Sequence, residues 1–76
     1  MKTRRYYVHG TLGPTTETVI ATSPIAAVHA AIRQSVLYHV SDVTEIDKVD
    51  GWVVFRLTHP NDNHADVAVM RVPDYD

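Results

Sequence analysis

The chain has 76 residues and a mass of 8.5 kDa, enough for one small domain over residues 1–76 and too short for a cofactor domain beside a substrate domain. It contains no cysteine, which excludes disulfide staples, thiolate zinc sites and cysteine nucleophiles. Net charge is −2, yet the first 41 residues carry four cations against Glu17 alone, while residues 42–76 carry eight acids against three cations.

Residues 4–12 (RRYYVHGTL) alternate, with Tyr6, Val8 and Leu12 on one side and Arg5, Tyr7 and His9 on the other. That period predicts a strand with one buried face. Gly13-Pro14-Thr15 is turn chemistry, and the β-branched run 16–22 reads as the returning strand.

Ser23-Pro24 predicts a helix start. The serine is an N-cap and proline fits N1, where its missing N–H breaks no bond. The alanine-rich stretch that follows predicts a helix over about 24–38, with Ile25, Val28, Ile32 and Val36 as the stripe that faces a sheet. Ala26, Ala27, Ala30, Ala31, Gln34, Leu37 and Tyr38 then form its outer face, with Arg33 the one charge.

Two β-like runs, 43–49 and 52–58, flank Asp50-Gly51. This dipeptide suits a type I′ hairpin turn, which needs positive φ at both positions. A polar loop, HPNDNH, precedes a last strand over 65–72. The expected fold is α+β, in the order β-β-α-β-β-β. Short connections predict an antiparallel sheet with one helix packed on one face.

One helix leaves the other sheet face uncovered, and that face is not polar. Trp52 and Val54 alternate with Val53 and Phe55, and Met70 alternates with Val69. A patch of Trp52, Val54 and Met70 is large for a monomer to leave wet. It predicts a protein partner or a second copy of the chain, unless loops or chain ends fold over it. Glu45, Asp47, Asp50, Asp66 and Asp74 suggest an acidic rim that would steer a basic partner surface. They also suit a charged, aggregation-resistant sheet edge.

Catalytic chemistry is poorly supported. The five histidines include His59 and His64, which bracket a loop holding Asp62. Zinc spacings usually come with cysteine or an HExxH helix, and neither occurs. There is no nucleophile elbow and no glycine-rich phosphate loop. No enzyme activity, metal or cofactor is expected. Lys2, Arg4, Arg5, Tyr6 and Tyr7 mix cations with aromatics, so a small nucleic-acid-binding protein stays an alternative, as does a homodimeric accessory subunit. No apolar run approaches the ~20 residues of a membrane span. The N-terminal MKTRRYYVHG lacks the apolar core of a signal peptide, so a cytoplasmic location is expected.

In plan the chain resembles small phage- or mobile-element-encoded host-interaction proteins, the anti-CRISPR inhibitors among them. The resemblance rests on Ser23-Pro24, Asp50-Gly51 and the lack of a catalytic motif, and it covers the whole chain at the level of layout. It implies a non-enzymatic inhibitor that occludes a surface of a bacterial defence protein, such as a CRISPR–Cas component, in the host cytoplasm. Those inhibitors share no sequence motif, so no functional residue carries over.

Overall fold

A computed structural model of the chain describes residues 2–10, 15–34 and 40–73. Among them are strands β1 (Arg4–His9) and β2 (Thr16–Ala21), helix α1 (Pro24–Gln34), and strands β3 (Asp42–Val49), β4 (Trp52–Thr58) and β5 (His64–Arg71). The strands form one antiparallel sheet in the order β2-β1-β5-β4-β3. The last strand therefore inserts between the first and the fourth. Gly13, Pro14, residues 35–39 and Asp74 lie outside the described residues, as does the end of the expected helix.

Local chemistry accounts for the boundaries. Ser23 caps the helix: its Oγ accepts from the N–H of Ala26 at 3.2 Å, and its carbonyl accepts from Ala27 N–H at 3.0 Å. Asp50 and Gly51 have φ of 50° and 85°, the positive pair that a type I′ turn demands. Gly10 has φ 105°, and a Cβ built there would stand 3.0 Å from the Asp66 carbonyl oxygen. The end of β1 can lie this close to β5 because the residue has no side chain.

The core lies between the helix and one sheet face. Tyr6 and Val8 of β1, Val19 and Ala21 of β2, Phe55 and Leu57 of β4, and Val67 and Val69 of β5 are all buried. The alternation expected for β1 thus places Tyr6 and Val8 inside. The helix packs over β2, β5 and β1. It does so with Ala27, Val28 and Ala31, while Ile25 is 44% exposed. The expected stripe was therefore rotated towards the bulky residues: Val28 holds its place, Ile32 is half-buried, and Ile25 points away. Alanines on the inner face leave little side-chain bulk between the helix and the sheet, and a larger residue there would have to displace buried neighbours.

β3 is exposed along almost its whole length. Its pairing with β4 shifts between Glu45 and Asp47, a β-bulge at Ile46.

Candidate functional site: the open sheet face

Residues directly opposite one another in antiparallel strands point to the same side, so the pairing fixes what each face displays. Opposite the helix, one row runs Thr18, Tyr7 and Met70 across β2, β1 and β5, and another pair joins Trp52 of β4 to Val49 of β3. One step inward from Trp52 and Met70, Val53 pairs with Val69, so Trp52 and Met70 come side by side and close the row. The next row holds Thr16, His9, Ala68, Val54 and Asp47.

Trp52, Val54, Met70 and Tyr7 are half-buried, Val49 is 50% exposed and Ile20 is 65% exposed. Among the described residues, no helix or strand covers this side. An apolar band therefore crosses the sheet from Tyr7 to Val49, while Ile20 lies outside it, opposite Arg5. Trp52, Val54 and Met70, expected as a patch, are brought together at its centre. Val49 was missed as a member. The alternation placed Tyr7 on the outer side of its strand, but only the strand order sets it beside Met70.

The polar end of the face carries an ion pair. Arg56 donates from Nε to Asp66 Oδ1 at 3.1 Å, and its second contact, from an Nη, is 3.4 Å from the other carboxylate oxygen. The hydrogen bond to Asp66 and then its charge raise the Arg56 pKa above its ordinary value. Asp66 therefore stands beside a cation rather than as a free element of a rim. His64 Nδ1 lies 3.4 Å from Thr58 Oγ1, and His9 Nδ1 lies 2.8 Å from Thr16 Oγ1.

The acidic residues do not share one surface. Asp47 pairs with Val54 on the open face, whereas Glu45 pairs with Phe55 and points to the helix side. Lys48 approaches Glu45 there at 4.0 Å. Asp50 sits in the exposed hairpin turn, and Asp74 is outside the described residues.

The basic-aromatic N-terminal strand is likewise divided. Tyr6 is buried and Arg4 half-buried on the helix side, leaving Arg5 and Tyr7 on the open face. Among the described residues, no three histidines or acids gather where a metal could be held. A cleft of about 250 Å³ is lined by His29 and Ile32 of the helix and by Val40, Ser41, Asp42 and Val43, and His29 and Asp42 are its titratable groups among the described residues. No helix among the described residues is long and apolar enough to cross a membrane.

No protein-family model, curated protein or solved structure matches the chain.

Proposed function

We propose that the protein is a non-enzymatic binding module that docks its open sheet face on another protein and occludes the surface it covers. The observation that supports this reading is the apolar band centred on Trp52 and Met70, lying on a face that no described element covers. Tryptophan and methionine suit the core of an interface, and a half-buried aromatic ring is a ready anchor. Asp47 and the turn acid Asp50 stand at one end of the band. They would speed the approach of a basic surface more than tighten the final complex. The resemblance in layout to phage-encoded inhibitors points to a partner in the bacterial defence machinery, met in the cytoplasm.

The test is affinity capture from bacterial lysate, with and without nuclease, using the wild-type protein and Trp52→Ala, both verified as folded by circular dichroism. A stoichiometric protein held by the wild type and lost by the variant supports the reading. Losing such an anchor should weaken binding by about 2 kcal/mol or more. Capture that is indifferent to Trp52→Ala sinks the assignment. Capture that disappears with nuclease would shift the function to nucleic acid, with Arg5 and Tyr7 as its contacts.

A further inference from the structure

The sheet has two ends, and the chain treats them differently. At one end, β3 carries a bulge, Asp42, Glu45 and Asp47, and Lys48. Bulges and charges of this kind prevent a strand edge from pairing with another chain. At the other end, β2 reads Thr-Glu-Thr-Val-Ile-Ala. It has no proline, lysine or bulge, and Ile20 is the most exposed large apolar side chain among the described residues. Its single charge, Glu17, pairs with Val8 and so points to the helix side.

The hydrogen-bond phase shows which backbone groups β2 presents outward. Gly10 N–H donates to the Thr15 carbonyl at 3.2 Å, and Val72 N–H donates to the Arg5 carbonyl at 3.0 Å. Antiparallel pairs alternate between bonded and non-bonded. Glu17, Val19 and Ala21 therefore bond towards β1, and the N–H and C=O groups of Thr16, Thr18 and Ile20 point away from the sheet. Among the described residues, no strand lies beyond them.

We infer that this outer edge of β2 is a seam at which two copies of the chain join into one continuous sheet. The edge is complementary to itself. A two-fold axis at Thr18 sets Thr18 against Thr18 of the second copy and Thr16 against Ile20, each pair exchanging two backbone bonds. The same axis places Glu17 opposite Val19, so no charge meets a like charge. Threonine pairs and threonine–isoleucine pairs are favourable cross-strand neighbours. The joint is isologous and closes at two copies. The alternative, β2 against β3 of the next copy, meets the bulge and brings acids towards Glu17. Pairing at the edge leaves Trp52 and Met70 uncovered. The seam is thus independent of the proposed docking face and doubles its width.

Sedimentation equilibrium over a dilution series tests the seam. The wild type should show twice the chain mass at high concentration and relax to the chain mass on dilution. Thr18→Pro removes an outward N–H while leaving the bonds from Glu17 and Val19 to β1 intact, and edge strands tolerate proline. It should stay folded and monomeric throughout the series. Ile20→Lys places a charge at the seam on an already exposed side chain and should do the same, which keeps the test decisive if the proline variant fails to fold. A wild type that is monomeric at every concentration overturns the inference. So does a dimer that survives both substitutions, and a dimer abolished by Trp52→Ala alone would place the contact on the open face.

Discussion

Glu45 and Asp47 stand two residues apart on β3, yet they point to opposite sides of the sheet: Glu45 lies opposite Phe55 and Asp47 opposite Val54. In a regular strand such residues share a face. The extra residue at Ile46 reverses the alternation and gives the two acids different surroundings. Asp47→Lys should slow partner association and flatten its salt dependence, whereas Glu45→Lys should change neither. Stopped-flow association at two ionic strengths distinguishes them, because charges at the rim of an interface act mainly on the encounter rate. Equal effects from both reversals would show that the bulge does not divide the acids functionally.

Gly10 should tolerate no side chain. Its φ of 105° and the 3.0 Å approach of the Asp66 carbonyl oxygen combine backbone strain with a steric contact. Gly10→Ala is expected to cost about 1–3 kcal/mol in urea unfolding. Gly51→Ala, with open space around the site but φ of 85°, isolates the conformational part and should cost less.

The helix–sheet contact predicts an inversion of the usual size rule. Ala31 is 1% exposed and Ile25 is 44% exposed. Enlarging the alanine in Ala31→Leu should destabilise by about 1–3 kcal/mol through overpacking. Removing most of the isoleucine side chain in Ile25→Ala should cost less, since much of it is already in water. Thermal denaturation of the two variants checks the order.

Ser23→Ala removes the side-chain oxygen that accepts from Ala26 N–H and should lower stability by about 1 kcal/mol. Ser23→Asp should restore it, because a carboxylate both caps the exposed N–H groups and meets the positive end of the helix dipole. Failure of the aspartate to rescue would mean that Ser23 acts through something other than its acceptor.

The features legible in the sequence are those set by neighbours along the chain. The Ser23-Pro24 start, the Asp50-Gly51 turn, the inward Tyr6 and Val8 and the bounds of β4 all follow from a few adjacent residues. The grouping of Trp52, Val54 and Met70 followed from alternation once the strands were assigned. The strand order did not, because inserting β5 between β1 and β4 is settled by long-range packing that no short segment records. That insertion is what brings Tyr7 into the band. The helix face was misjudged because periodicity weighs bulk, whereas here the small Ala27 and Ala31 turn inward with Val28. Nothing in Thr44-Glu45-Ile46-Asp47 marks a bulge, since no glycine or proline stands there, and so the acids read as one surface.

The alanine-lined contact beneath the helix also divides the chain by its freedom to change. Under the helix, Ala27, Val28 and Ala31 are all but fully buried, so few substitutions fit and the architecture is held narrowly. Across the sheet, Trp52, Val54, Met70 and Tyr7 sit only half-buried on a scaffold whose pairing does not depend on their shapes. Substitutions on that side can therefore change its contour while the fold stays the same.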